Sequence, residues 1–359
     1  MINSDPQRSE ELDEALSCLP RVSLAALPTP LEKCPGLTQS LSGPNIWVKR
    51  DDLTGLAFGG NKTRMLEFVL GKALEDRIDT IVAGAGVQSN YCRQLAAACR
   101  KLGLDCHLVL RKLRGEKDSQ VQGGLLLDLL LGAQIEFIQC DSWSSQGDRI
   151  RNLASKLETQ GKRVYVARLG NESGLGRYAC GYVQACVEIL NQAEQLNLKI
   201  DQMWVCSSDA TQAGLAIALK HVGSSIRLVG IPAVRKPILP NWSFGECIAH
   251  HGNECAEILG LQTRLAPEEI ISILDYVGPD YGVPTEQSLE AMHLAARSDA
   301  ILLDPVYTSK TMAGLIDHIR KGLIPSAQNV LFIHTGGLPA LFAYADEMGL
   351  EQPRSLTNT

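Results

Sequence analysis

Residues 58–64 read Phe-Gly-Gly-Asn-Lys-Thr-Arg and lie between a strand-like run, Ile46 to Lys49, and a helix-like run, Met65 to Leu74. Glycines allow backbone conformations that other residues avoid, and they let a flat ligand approach closely. A lysine held at such a turn, partly out of water, has the chemistry of an amine nucleophile that forms a Schiff base. The simpler interpretation is a surface lysine after an ordinary turn, and these seven residues alone leave both interpretations open.

Apolar runs and amphipathic segments alternate along most of the chain. The strand patterns lie at Thr80 to Ala83, Cys106 to Leu110, Ile135 to Ile138, Val164 to Ala167, Met203 to Cys206, Ile226 to Ile231 and Val330 to His334. The helix patterns lie at Gln88 to Leu102, Gln120 to Leu131, Asp148 to Glu158, Arg177 to Asn191, Thr211 to His221, Thr285 to Arg297 and Lys310 to Lys321. This alternation predicts an α/β fold with parallel sheets covered by helices, and ligands at the carboxyl ends of the strands. We expect loose ends in the first ~20 residues and after Gln352.

Length, composition and charge limit the classes of protein to which the chain can belong. The chain has 359 residues, of which 45% are hydrophobic and 21% charged, and this is enough for about two domains. The net charge is -6, and no basic stripe with interleaved aromatics occurs, so we expect no nucleic-acid partner. No apolar run approaches the ~20 residues of a membrane helix, and the polar start lacks the features of a signal peptide. We therefore expect a cytoplasmic protein without a membrane partner.

Cysteine and histidine do not form a metal-ligand pattern. The 11 cysteines are scattered without a Cys-x-x-Cys pair, which predicts buried free thiols in a reducing compartment. The seven histidines are dispersed apart from His250-His251, which lie in a polar helix-like segment where solvated side chains are expected. The sequence therefore predicts no metal site.

A second turn, residues 84–90, reads Gly-Ala-Gly-Val-Gln-Ser-Asn and runs from a strand into a helix. Its backbone amides and the side chains of Gln88, Ser89 and Asn90 are suited to a substrate carboxylate or a phenolate at the positive end of the helix. The alternative is a dinucleotide site. Two glycines fit that pattern but Ser89 occupies the third position, and the next strand ends at Arg111 without an acidic residue, so only an NADP version stays open.

A third turn, residues 206–214, reads Cys-Ser-Ser-Asp-Ala-Thr-Gln-Ala-Gly. The hydroxyls of Ser207, Ser208 and Thr211 surround the start of a helix, where a phosphate finds amide and hydroxyl donors. A plain helix cap is the alternative, since these residue types are preferred caps. Asp209 argues against a phosphate unless its side chain points outward, because its charge would repel the anion.

Two tyrosines complete the set of reactive groups. Tyr307 lies in residues 304–310, Asp-Pro-Val-Tyr-Thr-Ser-Lys, and Tyr281 lies in residues 280–284, Asp-Tyr-Gly-Val-Pro. Each is an acid or nucleophile candidate, and each is also compatible with a half-buried aromatic whose hydroxyl is satisfied. An amine, a phosphate cradle, a carboxylate cradle and two tyrosines together fit pyridoxal phosphate better than a nucleotide.

In combination, these motifs resemble one family. The chain is similar, from Leu27 to Phe342, to the fold-type II pyridoxal-phosphate enzymes that include 1-aminocyclopropane-1-carboxylate deaminase and D-cysteine desulfhydrase. The motifs in family order are WVKRDDLTG, FGGNKTR, VQSN, TQAG, YGVPTE, DPVYTSKTMAGL and HTGGLPALF. The resemblance implies two open twisted parallel-sheet domains, with a smaller domain (65–175) inserted in a larger one (1–64 and 176–359). It also implies a homodimer.

The resemblance assigns roles to individual positions. Lys62 looks like the Schiff-base lysine, Asn90 like the partner of the cofactor's ring hydroxyl, and Ser89 like the group that binds the substrate carboxylate or moves a proton, with Gln88 beside it. The other assignments are Ser207, Ser208 and Thr211 to the cofactor phosphate, and Tyr281 and Tyr307 to catalysis.

Position 308 distinguishes between reactions in this family. The deaminase has a glutamate there that keeps the pyridine nitrogen protonated, whereas Thr308 matches the desulfhydrases. Because a hydroxyl does not favour a positive ring nitrogen, prompt expulsion of a group from Cβ suits this site better than opening of a cyclopropane. The implied reaction is β-elimination on a small amino acid to give pyruvate and ammonia. The deaminase reaction is the alternative.

The chain departs from the family pattern at several positions. Asp209 lies in a loop that is glycine-rich in relatives, Met65 replaces a frequent lysine and Tyr91 replaces a histidine. These changes leave a further alternative open, a non-catalytic relative that binds an amino acid or a protein.

Overall fold

The computed structural model describes residues 5–139, 143–167, 174–237 and 241–350. The strands are β1 (Leu31–Lys33), β2 (Asn45–Lys49), β3 (Thr80–Gly86), β4 (Asp105–Arg111), β5 (Gln134–Ile138), β6 (Val164–Val166), β7 (Gln202–Cys206), β8 (Arg227–Ile231), β9 (Ile271–Ser272) and β10 (Asn329–Ile333). The helices are α1 (Pro6–Ser17), α2 (Pro35–Leu41), α3 (Lys62–Glu75), α4 (Asn90–Leu102), α5 (Gly123–Leu130), α6 (Trp143–Thr159), α7 (Leu175–Gln195), α8 (Ala210–His221), α9 (Phe244–Ile258), α10 (Glu286–Asp299), α11 (Thr308–Arg320) and α12 (Leu338–Phe342).

The strands form two sheets. One has six strands in the order β1-β2-β10-β7-β8-β9, and the other has four in the order β5-β4-β3-β6. All neighbours are parallel except β1, which pairs with β2 in the antiparallel direction. The predicted α/β class with two parallel sheets is confirmed. The antiparallel edge strand β1 was not predicted, because three residues are too few for a periodic pattern.

Alternating side chains join each sheet to helices on both of its faces. In β10, Leu331 and Ile333 pack into the core that contains α3, α7 and α8, whereas Val330 and Phe332 pack into the core that contains α10 and α11. Strands buried on both faces are continuously apolar, which is why these runs stand out in the sequence. In the smaller sheet, Val82 packs against α6, opposite the main core.

The amino-terminal segment corrects one expectation. Residues 6–17 form α1, whose Leu12 and Leu16 are buried in the main core and which packs against α7. The expectation of a loose end is therefore wrong for this segment. Asp5 caps the helix by accepting a hydrogen bond from the Gln7 amide at 3.1 Å. The tail after Gln352, also expected to be loose, lies outside the described residues.

The domain boundaries stay a prediction. The strands of the smaller sheet lie at residues 80–166, and the larger sheet takes its strands from both sides of that range. The predicted boundary between residues 64 and 65 falls inside α3, which packs against both α4 and α7. None of the helices in the described ranges combines the length and the apolar composition of a membrane-spanning segment.

Candidate active site

The Lys62 turn, residues 58–64, enters α3 through left-handed backbone. Residues 57–60 have positive φ angles, from +44° to +128°. A Cβ atom on Gly60 would lie 2.5 Å from Nε2 of Gln94, so glycine is required there for space as well as for conformation. The sharp turn makes Lys62 the first residue of α3, and its half-buried side chain lines a cavity of about 160 Å³.

Hydrogen bonds from neighbouring segments hold this turn. The Thr54 hydroxyl accepts from the Gly60 amide at 2.8 Å, and the Asn61 amide donates to the Thr335 carbonyl at 3.0 Å. A Cβ atom on Gly336 would lie 2.6 Å from the Gly60 Cα, so the two glycine turns are in close contact. The final glycine turn of the sequence therefore forms part of the support for Lys62.

A cluster of buried charges lies behind the turn. Arg64 is fully buried, and its Nη2 lies 2.9 Å from Oδ1 of Asp51 and 2.8 Å from Oε1 of Glu188. Lys49 donates a further hydrogen bond to Glu188, and the Tyr182 hydroxyl donates to Asp51 at 2.6 Å. These contacts fix the first turn of α3, since moving Arg64 would leave carboxylates buried without their partner.

The start of α4 forms a second wall of the cavity. Ser89 caps this helix through its Oγ, which accepts from the Cys92 amide at 3.3 Å, and the Asn90 Oδ1 accepts from Arg93 at 3.1 Å. Ser89 and Asn90 are both buried, and both line the cavity with Tyr91. The amino end of a helix carries partial positive charge and free amides, so this wall is suited to a carboxylate.

The Ser207 turn, residues 206–211, forms the third wall at the start of α8. Its Ser207 Oγ accepts from the amides of Asp209 at 3.2 Å and Gln212 at 3.0 Å, and donates to the Asp209 carbonyl. This hydroxyl therefore satisfies the Gln212 amide in the first turn of α8, although Asp209 occupies the cap position and makes no capping hydrogen bond through its side chain. A phosphate at this wall would meet the remaining amides of the turn rather than the Ser207 proton.

The other polar groups of this turn also line the cavity. They are Ser208, which is half-buried, and Thr211, whose Oγ1 accepts from Nδ2 of Asn61 at 3.0 Å. Asn61 thereby links the Lys62 turn to the Ser207 turn. Asp209 lines the cavity as well and is 9% exposed, so it is not turned out to bulk solvent.

The two predicted tyrosines meet at the cavity. The hydroxyls of Tyr281 and Tyr307 share a hydrogen bond, and their rings pack edge to face with centroids 5.7 Å apart. Burial raises the pKa of both phenols well above the usual value, so both stay protonated near neutral pH. Two hydroxyls hold two protons, and their mutual hydrogen bond uses one. The pair therefore has one proton available for a bound ligand.

Two predicted site residues lie outside the cavity lining. Thr308 is fully buried and donates to Oδ1 of Asp304 at 2.7 Å, and the Gln88 side chain accepts from the Gly124 amide at 2.7 Å. Burial raises the pKa of Asp304, while its hydrogen bonds, led by that from Thr308, act in the other direction. The roles predicted for Thr308 and Gln88 stay predictions.

One wall of the cavity was missed by the sequence analysis. Trp143 and Ile150 line it from α6, which begins five residues before the predicted Asp148. Trp143 packs its ring edge against Tyr281 at a centroid distance of 6.1 Å, and the Arg111 guanidinium lies 4.7 Å from its centroid. An aromatic after the carboxyl end of β5 was the available signal. Such an aromatic belongs to no fixed motif, and the apolar period of the helix becomes clear only from Asp148 onward.

The donor set of the cavity fits pyridoxal phosphate. A primary amine, a helix start with Ser208 and Thr211, and the amide side chain of Asn90 all face one space. These groups match an aldehyde, a phosphate and a phenolic oxygen, respectively. The exception is Asp209, whose charge opposes the phosphate.

His250 and His251 lie away from the cavity, on α9. With Glu254 they form a group of possible metal ligands in the described part of the chain. His251 is 4% exposed, so the expectation of a solvated side chain is wrong for it. The Glu254 carboxylate already accepts a hydrogen bond from the Gly174 amide at 3.1 Å and pairs with Nδ1 of His251 at 3.1 Å. Hydrogen bonds thus account for this group, and we assign no metal to it.

Known proteins resemble the chain over most of its length. Residues 22–336 match a family described as pyridoxal-phosphate dependent enzymes. A D-cysteine desulfhydrase of Salmonella typhi is 38% identical over 339 residues, which cover 92% of this chain and 97% of that protein. A crystal structure of an ACC deaminase homologue superposes with a TM-score of 0.83 at 33% identity and covers 94% of this chain and 98% of that one.

A more distant structure shares the fold alone. Diaminopropionate ammonia lyase from Escherichia coli superposes with a TM-score of 0.65 at 15% identity, covering 96% of this chain and 92% of that one. The family match and the two relatives above 30% identity, rather than this distant structure, support the cofactor over the dinucleotide alternative at residues 84–90.

Proposed function

Since the chain belongs to the family of pyridoxal-phosphate dependent enzymes and is a lyase, we propose that its substrate is a small amino acid with a leaving group on Cβ. D-Cysteine is the first candidate, because the Salmonella typhi relative is a D-cysteine desulfhydrase. The overall reaction then converts D-cysteine and water into pyruvate, hydrogen sulfide and ammonia. The observation that carries this proposal is that Lys62 shares one cavity with the starts of α4 and α8.

We assign the cofactor and the substrate to separate walls. Lys62 would hold the cofactor through Nζ, with Asn90 at the ring oxygen and the start of α8 at the phosphate. Bound there, the cofactor supplies an electron sink for the pair left on Cα when a proton is removed. The amides at the start of α4 and the Ser89 hydroxyl would bind the substrate carboxylate, which orients Cα toward Lys62.

The removal of the Cα proton and the stabilisation of the leaving group remain for the protein. Lys62 Nζ, freed when the substrate's amine takes its place, is the base for the Cα proton. The tyrosine pair would stabilise the departing thiolate by donating a hydrogen bond to it, because both phenols stay protonated and one proton is not used between them. Trp143 and Ile150 cover this side of the cavity with apolar surface, which keeps water from the reacting atoms.

1-Aminocyclopropane-1-carboxylate is the second candidate substrate. The superposition on the ACC deaminase homologue favours it, and so does the presence of both tyrosines at the cavity. Thr308 argues against it, since no carboxylate stands at that position to keep a ring nitrogen protonated. The product of that reaction is 2-oxobutyrate, so the two candidates are distinguished by the keto acid released.

The resemblance also supports a homodimer and a cytoplasmic location as proposals. Light scattering during gel filtration measures the first, and a mass of one 38.9 kDa chain would contradict it.

The test is a screen for ammonia and keto-acid release. We would compare D-cysteine, L-cysteine, D-serine, chloroalanine and 1-aminocyclopropane-1-carboxylate, and record the near-visible absorbance of the protein with added cofactor. Lys62→Ala is expected to remove the absorbance band and to lower kcat by more than about 10³-fold, since the loss of even one stabilising donor costs 10²–10³. Lys72→Ala, on the exposed side of the same helix, is the matched control. Wild-type protein without the band, or without turnover of any of these amino acids, would contradict the proposal.

A further inference from the structure

Lys310 is a buried lysine that the proposed reaction does not use. It lies in the first turn of α11, three residues after Tyr307, and its side chain is fully buried. Its Nζ donates to the Val277 carbonyl at 2.6 Å and to the Asp280 carbonyl at 3.2 Å. No carboxylate of the described residues lies within ion-pair distance of it. A buried ammonium without an ion pair is costly, so its retention needs a specific explanation.

Both of these carbonyls belong to the segment that ends at Tyr281. We name residues 277–281 the Tyr281 loop. From the other side, Nε of Arg235 donates to the Gly278 carbonyl at 2.7 Å and to the Pro279 carbonyl at 3.2 Å. Two cations therefore bind four consecutive carbonyls in a segment that has neither helix nor strand. Without a ladder of backbone bonds, the path of this loop depends on these side chains.

Lys310 connects this loop to the helix that carries the other tyrosine. Tyr307 is the residue directly before α11, and Lys310 stands in the first turn of that helix. We propose that Lys310 is a positioning residue, which holds the Tyr281 loop against the start of α11 so that the hydroxyls of Tyr281 and Tyr307 stay in contact. This inference rests on the proposed function for the tyrosine pair, but the anchoring of the loop is independent of it.

The surroundings of Lys310 suit an ammonium only in part. Cys206 approaches it from β7, Asp304 from the turn before α11, Asp280 from the loop itself and Arg235 from the turn after β8. Burial lowers the pKa of Lys310 to about 8 and Arg235 acts in the same direction, whereas Cys206, Asp304 and Asp280 raise the pKa by less. A methionine of similar length would avoid the cost of burial. The lysine is therefore explained by its hydrogen bonds to the loop rather than by packing.

Hydrogen exchange on the protein without cofactor tests the anchoring. Lys310→Met removes the donors at nearly constant volume, Lys310→Arg restores donors, and Lys321→Met changes an exposed lysine that follows the same helix. The amides of Tyr281 and Val283, which bond to Asp280, are expected to exchange more than about 10-fold faster in Lys310→Met alone, as in local opening. Lys310→Arg should reverse part of this change. Unchanged exchange in the loop, or faster exchange over the whole chain, would overturn the proposal.

Steady-state kinetics test the link to the tyrosines. With the amino acid that the screen identifies, Lys310→Met should lower kcat about 10- to 100-fold with little change in KM, the scale for a misplaced reacting group. If Lys310 acts through Tyr281, the same change in a Tyr281→Phe background should have almost no further effect. Additive losses would overturn the positioning role.

If Lys310→Met does not fold, a second variant still tests the proposal. Arg235→Gln weakens the loop from its exposed side, and we expect a smaller acceleration at the same two amides. If that variant exchanges like the wild type, the loop is not held by its carbonyls. If the wild type turns over no amino acid, the proposed function fails while the exchange measurements still decide the anchoring.

Discussion

The Lys62 turn and the Ser207 turn face each other across the cavity, and they are built in different ways. The Lys62 turn is tied to three other segments, through Thr54, through Arg93 and Gln94 of α4, and through Thr335, and has the buried cluster of Arg64 behind it. The Ser207 turn is organised mainly by the Ser207 hydroxyl, receives a hydrogen bond from the Asn61 side chain, and donates from the Ser207 amide to the Ile231 carbonyl.

This difference indicates what each turn is selected to do. A group that must meet a reacting carbon needs a position fixed to fractions of an ångström, and many partners provide that. A phosphate is held by several weak donors, so its binding tolerates variation such as Asp209. Of the departures from the family pattern, Asp209 lies in the Ser207 turn, whereas Met65 directly follows the Lys62 turn and Tyr91 lies at the start of α4.

Breaking the buried cluster is expected to have the largest effect. Arg64→Met leaves Asp51 and Glu188 with fewer partners in the core, and removing one member of a buried ion pair costs about 3–5 kcal/mol. Urea unfolding with and without the substitution measures this loss. Arg320→Met is the control, because its pair with Glu290 is half exposed and worth about 1 kcal/mol or less. Equal losses in both variants would show that the cluster does not fix the Lys62 turn.

A substitution in the Ser207 turn should have a smaller effect, and it should strengthen cofactor binding rather than weaken the protein. Asp209→Asn removes a negative charge from the wall proposed for the phosphate, and we expect about tenfold tighter cofactor binding, which corresponds to ~1.4 kcal/mol. Equilibrium dialysis with pyridoxal phosphate measures the affinity. Pyridoxal without phosphate is the control ligand, and its affinity should not change. Weaker binding of the phosphate form would mean that Asp209 contributes to the site.

The motifs of the cavity could be predicted because each reactive residue stands at a turn that enters a helix. Asn90 and Thr211 follow the ends of β3 and β7, and parallel strands bring such turns to one edge, whereas Lys62 lies further beyond β2 and Tyr307 follows a segment without a strand. All four are found at the cavity. The sheets could be predicted for the same reason, since strands buried on both faces are continuously apolar.

Other features depend on contacts that a sequence does not display. The Thr308 hydroxyl donates to Asp304, which lies just before α11, and this contact depends on how the chain turns into the helix. α1 has only two buried leucines, and its polar composition hid them. Lys310 lies in a family motif that assigns it no role and Trp143 lies in no motif, so their importance follows only from the segments that pack against them.

Asp128 is another residue whose surroundings the sequence does not display, and it destabilises the support of the Lys62 turn. It stands in a leucine-rich stretch of α5, is fully buried, and has no hydrogen-bond partner for either carboxyl oxygen among the described residues. Burial raises its pKa well above the usual value, although the Arg93 guanidinium acts in the other direction. Since Arg93 binds the carbonyls of Ala57 and Gly59, this unpaired acid lies beside a main support of the turn.

The raised pKa gives stability a definite dependence on pH. Above the ordinary pKa of aspartate, the unfolded chain loses a proton that the folded chain keeps, so this group lowers stability as pH rises from about 4 toward its folded pKa. Asp128→Asn removes that loss. We expect the variant to equal the wild type near pH 4 and to exceed its free energy of unfolding by roughly 1–4 kcal/mol at pH 7, at 1.36 kcal/mol for each pH unit over which the proton is retained. Urea midpoints at both pH values measure the difference, with Asp105→Asn as an exposed control. A constant difference at both pH values would mean that Asp128 is ionised in the fold and paired electrostatically with Arg93. Asp128 would then not destabilise the support of the Lys62 turn.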